Sequence, residues 1–169
     1  MTSRRLAAVS AMAAGVLAIA SPALAAQVTI SDPAGDSAGP GLDITSATID
    51  NRDYAVVVTA SFVEDHKGTV IVAVDTRGRL PVRIISEHPR SGADKTYLLG
   101  RSRELPCDGL TSSWDRGAAE IRLRMPSRCL NDGNYGAIRS WVLTEPLGDG
   151  SDVDLAPDGA ELTDWISRG

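Results

Sequence analysis

The chain has 169 residues, 17 Lys and Arg against 22 Asp and Glu for a formal net charge of −5, with 43% apolar and only 4% aromatic residues. That length corresponds to one domain with a real core, and the apolar content excludes a mostly disordered chain. The lack of a basic balance excludes a nucleic-acid-binding surface built on charge.

Residues 1–25, MTSRRLAAVSAMAAGVLAIASPALA, carry the tripartite pattern of a secretory signal peptide. Arg4 and Arg5 form the positive end, Leu6 to Ala20 the apolar stretch, and Ala23-Leu24-Ala25 after Pro22 the small-residue cleavage signature. The apolar run of about 15 residues falls short of the roughly 20 needed to span a bilayer. No Cys adjoins the cleavage point, which argues against a lipid anchor. The expected mature domain is residues 26–169, with 15 basic against 22 acidic side chains and a net charge of −7. A secreted, extracellular protein without stable membrane insertion is therefore expected. Arg outnumbers Lys by 15 to 2, a bias of GC-rich codon usage.

In chain order, the first expected strand is 27–31 (QVTIS), followed by the turn-rich stretch 32–41 (DPAGDSAGPG), which admits neither a helix nor a central strand. Residues 42–50 alternate through Leu42, Ile44, Ala47 and Ile49, with one slip in phase near Ser46. A β-branched strand is expected over 54–62, and the strongest of all over 69–75 (TVIVAVD), whose continuous apolar character reads as burial on both faces. Strands at 81–87 and 95–101 follow, then an irregular segment, 102–118, holding Cys107 and Trp114. Residues 119–125 alternate cleanly, with Ile121, Leu123 and Met125 inward and Arg122 and Arg124 outward, as in a half-buried antiparallel strand. The last strong strand is 135–144, and the acidic tail leaves room for a short helical turn near 158–166. About eight strands without a crossover helix predict an all-β fold, an antiparallel β-sandwich.

Cys107 and Cys129 are the only cysteines. An even count in an exported chain predicts one disulfide between them. It closes a loop of about 23 residues and is worth on the order of 3 kcal/mol.

The most specific chemistry is acid placed in turns, with 16 Asp against 6 Glu. Asp32, Asp36 and Asp43 sit in or beside the Gly/Pro loop; Asp149, Asp152, Asp154 and Asp158 sit in the tail. Calcium takes six to eight oxygens at about 2.3–2.6 Å, and short Asp side chains on a Gly-permissive loop can converge on one ion. The spacing is not that of an EF-hand. Asp is also favoured in turns through its own bonds to the backbone, so ordinary turn chemistry accounts for the same pattern.

The segments DPAGDSAGPGLDI (32–44), IVAVDT (71–76), MPSRCL (125–130) and SDVDLAPDGAELTDW (151–165) resemble a group of small secreted actinobacterial proteins of unknown function. Their β-sandwich is similar to the DOMON-like and family-nine carbohydrate-binding modules. The resemblance implies a calcium ion at the D-P-x-G-D stretch, held through Asp32, Asp36 and Asp43. We expect Asp152 and Asp154 to approach the same end of the sandwich. The loop lacks the Tyr-x-Tyr-Pro extension of glucodextranase-type members.

Sugar-binding modules present aromatic faces. Trp141 falls inside a strand, Trp165 near the chain end, and Trp114 in the irregular segment, which makes Trp114 the platform candidate. His66 and His88 both fall in turns and read as solvated surface groups. No G-x-S-x-G elbow, H-E-x-x-H or P-loop occurs. The expected function is a secreted, non-catalytic module recognising a glycan or cell-envelope component, with calcium as its structural ion. The rivals are an extracellular protein-interaction or structural module without a small ligand, and a small secreted hydrolase.

Overall fold

The computed structural model describes residues 26–89, 91–148 and 154–169; the expected signal segment 1–25 lies outside them. Eleven strands occur among the described residues: β1 Ala26–Ser31, β2 Ile44–Asn51, β3 Ala55–Phe62, β4 Gly68–Thr76, β5 Val82–His88, β6 Lys95–Leu99, β7 Glu104–Leu105, β8 Thr111–Asp115, β9 Glu120–Pro126, β10 Ile138–Glu145 and β11 Asp154–Ala156. They form a five-stranded sheet, β1-β2-β3-β9-β8, and a six-stranded sheet, β11-β10-β4-β5-β6-β7. Every strand pairing is antiparallel. Helical structure among these residues is limited to single 3-10 turns at Ser127–Cys129, Asn131–Gly133 and Asp158–Ala160, and no helix is long and apolar enough to cross a membrane.

The two sheets pack as a sandwich through their period-two faces. Val56, Val58, Ala60 and Phe62 of β3, with Ile121, Leu123 and Met125 of β9, meet Val70, Val72 and Val74 of β4 and Ile138 and Val142 of β10 in one buried cluster. Each large aliphatic side chain buried there is worth about 1.5–3 kcal/mol. Arg122 and Arg124 point outward, so the clean alternation of this strand is realised. On β4 the apolar run is continuous for a different reason. Its alternate residues belong to a second cluster on the outer face of the six-stranded sheet, where Ile71 packs with Ile85 and Leu143 beside Tyr97, Trp141 and Leu155.

The phase slip near Ser46 is a β-bulge: the β2–β3 register shifts between Ile44 and Ser46. The irregular reading of 102–118 is corrected, because β7 and β8 lie within it. The polar run Thr111-Ser112-Ser113 carries no apolar alternation, yet it pairs with β9 across a full register. The tail likewise contributes β11, paired with β10. Cys107 and Cys129 form the expected disulfide, with Cα atoms 5.3 Å apart, tying the β7–β8 connection to the turn after β9.

This topology gives the sandwich two opposite poles. The β1–β2 loop, the end of β3, the start of β4 and the start of β11 gather at one. The β4–β5 turn, the segment joining β9 to β10 and the C-terminal residues gather at the other, where Ile166 bridges Ile138. The poles stand about 23 Å apart, the rise of the seven steps of β4 from Thr69 to Thr76.

Candidate metal centre

The first pole concentrates aspartates. The β1–β2 loop leaves β1 with the Asp32 amide bonded to the Thr45 carbonyl at 3.0 Å and rejoins β2 after Asp43. Gly35 takes a positive φ of 88° there, and its N–H donates to Asp43 Oδ2 at 2.8 Å, curling the loop over its own acid. From the far end of the chain, Asp154 opens β11 and is only 8% exposed. Its Oδ2 accepts from the Ile44 amide at 2.5 Å and its Oδ1 from the Leu155 amide at 2.8 Å. One carboxylate thus joins the first residue of β2 to the C-terminal strand. Thr144 reinforces the join, its hydroxyl donating to the Leu42 carbonyl at 2.7 Å.

Two overlapping groups result, Asp32 with Asp36 and Asp158, and Asp36 with Asp43 and Asp154. Within each, one carboxylate oxygen per residue lies within 4.8 Å of the others. That spread is the reach of a single ion bonded to oxygens at about 2.4 Å. Asp32 Oδ2 and Asp43 Oδ1 are buried and have no hydrogen-bond partner. Among the described residues, the ion pairs within 4.0 Å involve none of these five aspartates. Buried acceptors without donors carry a desolvation cost of about 1–3 kcal/mol each, more when charged.

The electrostatics follow. The Asp32 carboxyl is pushed from 3.8 up to about 7 by burial first, then by Asp154, Asp36, Asp158 and Asp43. Burial also raises Asp154, opposed by the two backbone N–H groups it accepts. The donor set is carboxylate oxygen alone, the hard-ligand chemistry of calcium, magnesium or manganese; the thiolate and imidazole donors typical of structural zinc sites are absent from it.

Of the residues singled out from the sequence, Asp32, Asp36, Asp43 and Asp154 converge. Asp152 lies outside the described residues. Asp158 joins the group from the turn after β11. Its place in an Asp-rich tail was the only sequence signal for it.

Trp114 stands on β8 rather than in an irregular loop. Its indole stacks on the His88 ring at 4.1 Å and lies 5.8 Å from Phe62, and its N–H donates to Ser86 Oγ at 3.3 Å. The reading of His88 as a solvated turn residue is corrected. It closes β5 at 1% exposure, with Nδ1 2.7 Å from Asp94 Oδ1 and Nε2 3.1 Å from Asp65 Oδ1. His66 fits the surface reading, half exposed beside Glu64. Two guanidinium groups stand over the Trp165 ring, Arg77 at 4.8 Å and Arg139 at 4.7 Å from its centroid.

No protein-family model matches the chain, and a search among curated proteins finds no match.

Proposed function

We propose that the protein is an extracellular, non-catalytic β-sandwich whose β1–β2 loop and C-terminal strand are clamped together by one calcium ion, and which recognises a glycan or cell-envelope component. The observation that carries this reading is the pair of buried carboxylate oxygens without donors, Asp32 Oδ2 and Asp43 Oδ1, within a five-aspartate cluster. A divalent cation supplies the positive charge that, among the described residues, no Lys or Arg supplies within ion-pair distance. Calcium is favoured over magnesium because several carboxylates on irregular backbone suit its larger, flexible coordination shell. The secretory pattern of residues 1–25 and the disulfide support the compartment, and the motif resemblance to DOMON-like and family-nine carbohydrate-binding modules supports the module class.

The aromatic surface best suited to a sugar is the outer face of the six-stranded sheet. Trp141 stands there beside the small Ala73, one step from the row Leu143, Ile71, Ile85 and Tyr97. This outer face supports a platform better than Trp114, one of whose faces already carries His88. The non-catalytic reading is supported by the occupation of both His88 nitrogens by carboxylates, which leaves neither to activate a nucleophile.

Thermal unfolding in calcium and in chelator tests the ion. At calcium 100-fold above its dissociation constant the gain is about 2.7 kcal/mol. Identical melting temperatures in the two buffers contradict the clamp. A glycan array tests the ligand: binding that is lost on Trp141→Ala supports recognition through the outer face, and a blank array favours the protein-interaction or structural module.

A further inference from the structure

The opposite pole carries chemistry of the opposite sign. Arg77 and Arg79 flank Gly78 in the β4–β5 turn and line a cleft of about 380 Å³ together with Asn131, Asn134 and Tyr135. A second hollow of about 400 Å³ shares Arg79 and Asn131 with it and continues over Leu80 and Leu130. Among the described residues no carboxylate lies within 4.0 Å of either guanidinium; that of Arg77 lies 4.8 Å over the Trp165 ring. Two other arginines of this pole are engaged. Arg139 pairs with Asp75 at 2.8 Å, and Arg168 bonds the Gly133, Tyr135 and Asp53 carbonyls.

The cleft wall is also shaped in an unusual way. Asn131 and Asp132 are consecutive non-glycine residues at φ of 52° and 53°, in the left-handed region. Asn and Asp are the non-glycine residues that most readily adopt it. The turn is pinned by the Asn134 amide on the Asn131 carbonyl at 2.8 Å and by the Asn131 side chain on the Asn134 carbonyl. The Tyr135 hydroxyl is buried and has no partner, while the Arg168 guanidinium packs 4.6 Å over its ring. In a chain of net charge −5, two guanidinium groups without an ion-pair partner among the described residues, set beside amide side chains, are a recognition surface in search of an acceptor.

We propose that this cleft binds an oxyanion carried on a hydroxyl-rich scaffold, with Arg79 and Arg77 holding the carboxylate or phosphate and the Asn131 and Asn134 side chains serving its hydroxyl groups. The site is independent of the cation centre, being built on the other pole of the sandwich. Acidic sugars and polyol phosphates share this chemistry, and the probes separate them.

Calorimetric titrations with trigalacturonate, with glycerol 3-phosphate and with neutral maltotriose, each run to about 1 mM, test it. The expected result is one site per chain for one of the two anions, little or no heat from maltotriose, and affinity that falls as salt rises. The anion that binds identifies the source. Arg79→Ala, at an exposed position with no side-chain partner, is expected to keep the wild-type melting temperature and to weaken binding at least tenfold. Asp32→Asn is expected to leave it unchanged. Failure of both anions to bind, or binding undiminished in an Arg77→Ala/Arg79→Ala double variant, overturns the proposal.

Discussion

Replacing Asp32 with Asn is expected to raise the stability of the cation-free protein at pH 8 and to leave it unchanged near pH 4. In the fold, burial and four neighbouring aspartates push this carboxyl from 3.8 to about 7. Between those two values the folded protein holds a proton that the unfolded chain has released. Stability therefore falls as pH rises through this window, and the loss is complete above the folded value. The full interval corresponds to about 4 kcal/mol, which solvent screening at a part-buried site reduces to roughly 2 kcal/mol. For a domain of this size that is roughly 4–8 °C in melting temperature. The assay is thermal unfolding of wild type and Asp32→Asn in chelator from pH 4 to pH 9. The wild type should lose stability between about pH 4 and pH 7, and the variant should lose less of it. In saturating calcium the order should reverse, because the variant lacks a ligand. A variant that melts below wild type in chelator at pH 8 refutes the reasoning, since it means the Asp32 charge is already compensated.

Three further outcomes follow from the packing. Asp154→Ala should cost about 1–3 kcal/mol in chelator, because the Ile44 amide, on a fully buried residue, loses its acceptor; equilibrium urea unfolding reads it. His88→Ala should cost about 2–4 kcal/mol, since it strips Asp65 and Asp94 of their shared partner and Trp114 of its stacking ring; a change in indole fluorescence should accompany it. Reduction of Cys107–Cys129, which spans 22 positions, should lower stability by about 3 kcal/mol without altering the strand content seen by far-ultraviolet circular dichroism.

Much of the sandwich is legible in the sequence because its central strands obey the period-two rule. Ile121, Leu123 and Met125 declare one face of β9, and even the bulge at Ser46 is visible as a broken phase. The strands that escaped are edge strands. β8 and β11 lie at sheet edges, where one side of the backbone pairs and burial asks little of the side chains, so Thr111-Ser112-Ser113 carries no apolar signature. His88 escaped for a related reason. A His-Pro pair looks like a turn, but His88 is the last paired residue of β5, opposite Gly68, and its burial depends on Asp65, Asp94 and Trp114 arriving from three other segments.

The cation cluster was half legible. The D-x3-D-x6-D spacing marks the loop, but the closure of the site by Asp154 and Asp158 is a product of β11 pairing with β10 beside the start of β2. The arginine cleft left no signal in composition. Its residues come from the turn after β4 and from the segment before β10, which the Ile138–Thr76 pairing brings together.

The most direct test of the central claim is calorimetric titration of calcium into chelator-stripped protein. One ion per chain is expected, with proton release near pH 7 as Asp32 ionises and loss of the heat in Asp32→Asn and in Asp43→Asn. Absence of binding heat in the wild type, together with a melting temperature unmoved by calcium, would contradict it.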